Sequence, residues 1–458
     1  MMSPMSRPDP SVLRPGAAGY DEARSAYNLL HDVRPGLIVQ PTEAADVVFA
    51  LELARREGLE VAVKSGGHSL AGHGTTDGGL LVDLAGLDGI DIDVTARTAE
   101  VGGGVTAGAL TAATYPHGLV VPFGDSPDVG VGGITLGGGI GWLSRKHGLT
   151  LDSLLGVEVV LADGRVVNAD EREHPDLFWA LRGGGGNFGV VTRFRYRLSP
   201  LGPVVGGMLV LPASAEVLRG ILDLAAAAPD ELGTISLVTR LPPMGFVPAE
   251  AHGRPGVVMT LAWCGDPDEG ESYVDRFREL APPLVDQVRL RPYPEMYALM
   301  PDVPSSVTNI TSSFLADDLD DKAIDIVLDA VEHPDDPSEP VLSAVELRVL
   351  GGAVARVPAA ATAYAHRQRN LLCSVVAAGF EPPRAAHHRA WVSSVADQLS
   401  PLARGAYLNF LDAADADRLD EVYPPATRDR LVAVKNAYDP DNFFRRNLNV
   451  RPAAGPTT

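Results

Sequence analysis

A histidine and a serine follow two glycines in Val63-Lys-Ser-Gly-Gly-His-Ser69, directly after an apolar run that reads as a strand. Glycines permit positive φ and let bare backbone approach a ligand, and successive N–H groups in such a turn form a nest for an anion. A neutral imidazole held there has a nitrogen lone pair for nucleophilic attack or for a hydrogen bond near phosphate. The loop therefore suits a phosphate-bearing cofactor, with an ordinary turn as the alternative. Three more glycine-dense stretches favour the cofactor: Val101-Gly-Gly-Gly-Val105, Gly130-Val-Gly-Gly-Ile-Thr-Leu-Gly-Gly-Gly-Ile-Gly141 and Arg182-Gly-Gly-Gly-Gly-Asn-Phe-Gly189. The second carries Val131, Ile134, Leu136 and Ile140 among its glycines and Trp142 and Leu143 after them, apolar groups that call for burial, whereas flexible linkers are Gly/Ser-rich. It reads as ordered backbone passing close to a large planar group and its pyrophosphate. One literal Gly-x-Gly-x-x-Gly, at Gly184, Gly186 and Gly189, follows a helix and enters a strand, the reverse of the order a dinucleotide fingerprint needs. His73 offers a second imidazole near His68, but no third ligand accompanies the pair and no metal is expected.

The elements that must position these loops are legible from periodicity. Thr42 reads as the N-cap of a helix over 43–56 that stops at Gly58, with strands over 59–63, 80–83, 90–94 and 98–101 and a helix over 106–115. Strands over 157–161 and 166–169 flank Asp163-Gly164, a hairpin signal. A short helix spans 176–181. From 190 to 198, Thr192, Phe194, Tyr196 and Leu198 take one face and Arg193, Arg195 and Arg197 the other, as in a half-buried strand. Ser199-Pro200-Leu-Gly-Pro203 reads as a lobe boundary. Beyond it, strand-like runs at 257–263 and 343–350 alternate with helical runs at 214–227, 321–332 and 384–399, and an Asp/Pro cluster at 333–340 reads as a solvated loop. The last residues return to a compact pattern, with a strand over 406–411 and a helix over 428–437.

A chain of 458 residues exceeds one hydrophobic core, so two lobes around a cleft are expected. The formal charge of −21, from 38 Lys+Arg and 59 Asp+Glu, opposes binding to nucleic acid or an anionic membrane surface. Cys264 and Cys373 match no metal or redox spacing and read as core thiols in a reducing compartment. With no long apolar run, a soluble cytoplasmic protein, monomer or homodimer, is expected.

Ser65-Gly-Gly-His68-Ser, the run from Val129 to Arg145, Phe178-Trp-Ala-Leu-Arg-Gly-Gly-Gly-Gly-Asn-Phe-Gly189 and Tyr438-Asp-Pro-Asp-Asn-Phe-Phe444 together resemble the berberine bridge enzyme-like FAD-linked oxidases of the vanillyl-alcohol oxidase superfamily. The match is dense over 31–200 and clear over 405–450. The resemblance implies an α+β fold in two lobes: an N-terminal segment 1–30, a PCMH-type FAD-binding domain 31–203, a substrate-binding domain 204–404 whose antiparallel sheet is flanked by helices, and a C-terminal segment 405–458 returning to the flavin. It implies FAD as cofactor, bonded covalently through His68. Carried over motif by motif, it implies cofactor contacts from Lys64, Ser65, Gly66, Gly67, Ser69, Gly72, His73, Val129, Gly130, Gly132, Gly133, Gly137, Gly138, Gly141, Trp142, Val190, Val191, Asn447 and Asn449. Asp128 is expected near the flavin as a catalytic candidate, and Val129 stands at the position that gates oxygen in relatives.

Three positions depart from the resemblance. Ser126 stands where many relatives have a second flavin-linking Cys, so a single link is expected. Phe410, in Tyr407-Leu-Asn409-Phe410, stands where many have a catalytic tyrosine, and a phenyl ring accepts no proton. The register after Ala365-His366-Arg367 leads to Val375 where plant-type members place Gln or Glu. Tyr407 is a substitute candidate, but in a strand residues 407 and 410 face opposite ways. Glu346, in Ala344-Val-Glu-Leu-Arg-Val-Leu350, is the other: a carboxylate in a partly dry cleft suits general-base work, and pairing with Arg348 is the competing role.

The expected activity is oxidation of a small organic substrate, with hydride passing to FAD and dioxygen giving hydrogen peroxide. The middle lobe, with Leu241-Pro-Pro-Met-Gly-Phe-Val247 and Tyr293-Pro-Glu-Met-Tyr-Ala-Leu-Met300, has few aromatic platforms for sugars and favours a secondary metabolite. A redox-neutral lyase, isomerase or cyclase and an oligosaccharide oxidase are the alternatives.

Overall fold

Alternation at residues 190–198 becomes strand Val190–Arg197, in which Thr192, Phe194 and Tyr196 are buried while the arginines between them face solvent. In the computed structural model, which describes residues 11–243, 245, 247–299, 306–333 and 342–453, this strand is the middle of a five-stranded antiparallel sheet. Its neighbours are Thr98–Gly102 and Leu154–Val160, with Ile90–Asp93 and Val166–Ala169 at the edges. The Asp163-Gly164 turn closes the last hairpin, Gly164 adopting φ +86°. A smaller sheet precedes it: Leu37–Gln40, Leu80–Asp83 and Val61–Lys64 run parallel, and helix Ala44–Glu57 makes the crossover. That helix starts one residue later than the N-cap reading of Thr42, because the Asp46 carboxylate reaches back to the N–H groups of Thr42 and Glu43. The segment 130–141 is ordered, and much of it is helix Val131–Gly137, ended by Gly138 and Gly139 at φ +147° and +90°.

At Val204 the texture changes as the 199–203 cluster suggests. Strands Val204–Pro212, Pro255–Trp263, Leu232–Arg240, Leu342–Val349, Leu371–Ala378 and Asn309–Ala316 lie side by side, all antiparallel, in a third and larger sheet. Helices Ala215–Ala227, Asp321–Glu332 and Ala385–Leu399 cover one face. Helix Asp321–Glu332 shows why: Ala323, Ile324, Val327, Ala330 and Val331 make one buried stripe, and the Asp320 side chain accepts from the Ala323 N–H at its start. Full burial of a side chain such as Val327 stabilises the layer by about 1.5–3 kcal/mol. Cys373 is part of this core, and both cysteines are free and buried. The Asp/Pro cluster at 334–340, residues 1–10, Met244, Phe246 and Met300 lie outside the described residues. Among the described residues, no helix is long and apolar enough to cross a membrane.

The C-terminal chain does not form the strand expected over 406–411. Residues 404 and 405 exchange backbone bonds with Leu315, after which Leu408–Phe410 turn as a 3₁₀-helix. The Asn409 amide explains the departure, donating to Ile134 O and to the Tyr407 hydroxyl in place of a strand ladder.

The Tyr438-Asp-Pro-Asp-Asn-Phe-Phe444 motif closes the fold around one ion pair. Lys435, on helix Pro425–Tyr438, and Asp439 are both 0% exposed, with Nζ to Oδ2 at 2.7 Å. The amine also donates to Asn187 O and Phe444 O, and the carboxylate accepts the N–H groups of Phe443 and Phe444. The last glycine loop is thereby tied to the C-terminal segment. Removing one partner strands the other charge in a dry site, so Lys435→Met is expected to cost about 3–5 kcal/mol in urea unfolding. A midpoint equal to the parent's would show that the pair is hydrated.

Candidate functional site

The four glycine stretches meet. The Ser65 hydroxyl donates to Gly103 O at 2.6 Å and accepts the Gly132 N–H at 3.3 Å, joining three of them, while the N–H groups of Gly183 and Gly185 both donate to Leu136 O. Backbone pairing of 105–108 with 127–131 holds Asp128 and Val129 beside the His68 loop. Around this junction opens a cavity of about 1320 Å³, larger than the ~300–1,000 Å³ of a small-molecule pocket. Its first wall is the His68 loop. Gly67 adopts φ +75°, and among the described residues the N–H groups of Gly67, His68, Ser69, Leu70 and Ala71 have no hydrogen-bond acceptor in the protein. Burial holds the His68 imidazole below its usual range, and the Asp128 carboxylate opposes that shift. The ring is therefore neutral near pH 7. His73, also on the wall, is pushed down to about 4 by burial and by Arg446 and His31.

The bare face of the large sheet forms the opposite wall. Ile235, Leu237 and Thr239 alternate along one strand, Glu346 and Arg348 along the next, Ser374, Val376 and Ala378 along the third, and Asn309 and Thr311 along the edge. The register sets Leu237 opposite Glu346 and Glu346 opposite Ser374. The Ser374 hydroxyl is buried with no partner among the described residues. Val375 points into the helical core, so the register that led to it is corrected: Ser374 and Val376 are the residues that reach the cavity there, and neither is a carboxylate or amide.

Glu346 does not stand alone. Arg348, 5% exposed, grips it with Nε to Oε1 at 2.7 Å and Nη2 to Oε2 at 3.1 Å. The same guanidinium takes Asp125 in a second fork at 2.9 and 3.1 Å. Sequence reasoning missed Asp125, which carries no motif signal of its own. Glu346 keeps 18% of its side chain exposed, and it is the ion-pair partner as well as a cavity group.

Tyr407 and Phe410 also line the cavity, and because the chain between them is 3₁₀ rather than strand they lie on one side, ring centroids 5.3 Å apart. The expectation of opposite faces is corrected. The Tyr407 hydroxyl accepts from Gly139 N at 2.9 Å and from Asn409 Nδ2 at 3.1 Å, and burial raises its pKa. With both lone pairs engaged and the phenolate disfavoured, it is a donor rather than a base. Tyr27 is a second missed residue, from the N-terminal segment.

Of the expected cofactor contacts, Lys64, Ser65, Gly66, Gly67, His68, Ser69, His73, Val129, Gly130, Gly132, Gly133, Trp142, Val190, Val191 and Asn447 line the cavity together with Asp128. The Lys64 amine itself turns to Ala23 O and Asp83, and the Trp142 indole donates to Thr260 Oγ1. Gly72, Gly137, Gly138, Gly141 and Asn449 do not reach the wall. An added Cβ would meet His31 at Gly72, Asn409 at Gly137, Tyr407 at Gly138 and Phe123 O at Gly141, so these glycines serve the approach of chain to chain. Among the described residues no group of acidic, His or Cys side chains could hold a metal.

Two family models match the chain, one described as an FAD binding domain over residues 35–170 and one as berberine and berberine like over 406–451. The (R)-6-hydroxynicotine oxidase of Paenarthrobacter nicotinovorans is 32% identical, covering 96% of each chain. The crystal structure of a 6-hydroxy-D-nicotine oxidase from Arthrobacter nicotinovorans superposes with a TM-score of 0.87 at 29% identity, over 98% of this chain and 99% of that one. A xylooligosaccharide oxidase from Myceliophthora thermophila, in complex with xylobiose, gives 0.84 at 26% identity over 97% and 98%.

The cavity fits FAD. Free N–H groups in the His68 loop suit a pyrophosphate, and among the described residues the buried Asn447 Oδ1 has no partner and nothing lies within 4 Å of a Cβ built on Gly133 or Gly186. Two glycines thus make opposite predictions. Gly133→Ala fills only open space and is expected to leave the flavin-free protein as stable or up to about 1 kcal/mol more stable. In a His68→Ala background it is expected to weaken flavin binding about tenfold. Gly66→Ala drives a Cβ into Gly130 N and Asp128 O, and is expected to lower the flavin-free melting temperature. Equal effects of the two would refute the assignment.

Proposed function

The chain belongs to the berberine bridge enzyme-like FAD-linked oxidoreductases and is an FAD-dependent oxidase; on that premise we propose that His68 carries the flavin as its single covalent link and that the substrate is a small, largely apolar molecule. The observation that carries the reading is the shared cavity: the nest of free N–H groups and a neutral His68 on one wall, and on the sheet face opposite Glu346 with the apolar Ile235, Leu237, Val376 and Ala378 around it. When bound, FAD supplies the two-electron acceptor that takes hydride from a substrate carbon and hands the electrons to dioxygen.

The residues of the chain do the rest. The Leu237, Val258, Leu241 and Met296 side chains exclude water and hold an apolar substrate body. Ser374 and Thr239 offer hydroxyls to its polar group. Glu346 receives the proton that leaves as the substrate is oxidised, while Arg348 holds the carboxylate in place by both oxygens. Ser126 carries no thiol for a second link, and Val129 puts a small aliphatic group on the cavity wall, which would leave room for oxygen. A relative named for 6-hydroxynicotine matches at 32% identity over nearly the whole chain, against 26% for the xylooligosaccharide oxidase over as much of it, and this supports a small organic substrate over an oligosaccharide.

Acid precipitation is expected to leave flavin in the wild-type pellet and none in the His68→Ala pellet. Oxygen electrode screening is expected to find alkaloid-like or polyketide substrates turned over faster than oligosaccharides, with one oxygen consumed per product. Product without oxygen uptake would replace the oxidase reading by the redox-neutral one. Glu346→Gln keeps an acceptor for Arg348 but loses the base, and is expected to lower turnover roughly 10²-fold or more with flavin content unchanged. Full turnover in that variant would assign Glu346 to the ion pair alone.

A further inference from the structure

The His68 ring is oriented by an unusual partner. Histidines that act through one nitrogen are ordinarily held by a hydrogen bond at the other, which sets tautomer and ring plane. Among the described residues neither ring nitrogen of His68 has such a bond. Instead the Tyr27 ring lies flat on the imidazole, centroids 4.5 Å apart and planes inclined by 17°. The torsion that turns an imidazole about its stem is intrinsically broad, so a flat contact is what narrows it.

Tyr27 is itself fastened by a strap of chain. Its N–H donates to Gly67 O, next to His68, and its carbonyl accepts from Val307 N. The adjoining Asn28, buried, donates through its amide to Leu70 O at 3.2 Å and to Asn309 O at 2.8 Å, and its Oδ1 accepts the Asn309 N–H. His31 adds a third contact, Nε2 lying 2.7 Å from Leu70 O. The strap is thus pinned to the two sides of the His68 loop and to the edge strand of the large sheet. Its contacts with that loop converge on the backbone flanking one ring.

Resting on the reading that His68 carries the flavin, we infer that Tyr27 is a positioning residue for the attachment, its ring setting the imidazole plane. Attachment forms a bond between an imidazole nitrogen and the flavin 8α carbon. One proton leaves that methyl group and one leaves the imidazole. The two electrons remaining on the cofactor pass with those protons to dioxygen, giving hydrogen peroxide. Nothing in this balance uses the Tyr27 hydroxyl, so the ring alone is required.

The test uses full-length protein purified flavin-free from riboflavin-starved cells, with FAD added and the acid-stable flavin followed over time. Tyr27→Phe keeps the ring and is expected to attach at the wild-type rate. Tyr27→Leu and Tyr27→Ser remove it, and each, saturated with FAD so that weaker binding does not enter the rate, is expected to attach on the order of 10- to 100-fold more slowly. Either of the two suffices if the other fails to fold. Attachment at the wild-type rate in a variant without the ring would overturn the inference, and so would a Tyr27→Phe protein as slow as Tyr27→Leu. Wild-type protein that releases all its flavin in acid would instead overturn the His68 link on which the inference rests.

Discussion

One guanidinium ties three functional parts of the cavity to one another. Arg348 rises from the large sheet, and Asp125, which it grips in a fork, comes from the loop that leads to Asp128 and Val129. The same group holds Glu346 on its own strand and lies against the Phe410 ring, 4.9 Å from its centroid. A guanidinium taken out of water costs several kcal/mol unless geometry repays it, and here the hydrogen bonds of two forks to partly exposed carboxylates do so. Without the cation, two carboxylates would face each other across the lobe junction. Together with the Asn28–Asn309 and Trp142–Thr260 hydrogen bonds, this contact fixes the wall that carries Glu346 against the wall that carries His68.

Glycine sets the second constraint. The same run of sequence contains glycines of two kinds, and only their surroundings separate them. Gly66 and Gly130 stand backbone against backbone, and Gly137, Gly138 and Gly141 leave room for Asn409, Tyr407 and Phe123. Gly133 and Gly186 face open space within the cavity. The first kind brings four separate stretches of chain to one junction; the second leaves that junction accessible to a ligand.

How much was legible follows from the range of each interaction. Strand Val190–Arg197 and helix Asp321–Glu332 follow from periods of 2 and 3.6, which are local properties of the chain, whereas strands such as Val204–Pro212 and Leu371–Ala378, buried almost throughout, carry no such alternation and were not read. The His68 loop and the Tyr438 to Phe444 motif could be read because each packs its contacts into a few consecutive residues. The turn at 408–410 could not, since Asn409 leaves the strand pattern for Ile134, 275 residues away. The side of the sheet that Val375 faces was likewise invisible, because a one-residue shift in register exchanges core and cavity faces.

The amino-acid sequence alone determined the α+β lobes, the glycine loop that carries His68, and the family to which the chain belongs, because glycine spacing and hydrophobic period act over short distances. Only the tertiary structure decided that Glu346 shares Arg348 with Asp125, 223 residues from that arginine, and that Tyr27 covers His68. Both are contacts between distant parts of the chain, made by single residues with no pattern around them. Their geometry exists only once the two sheets and the strap have packed.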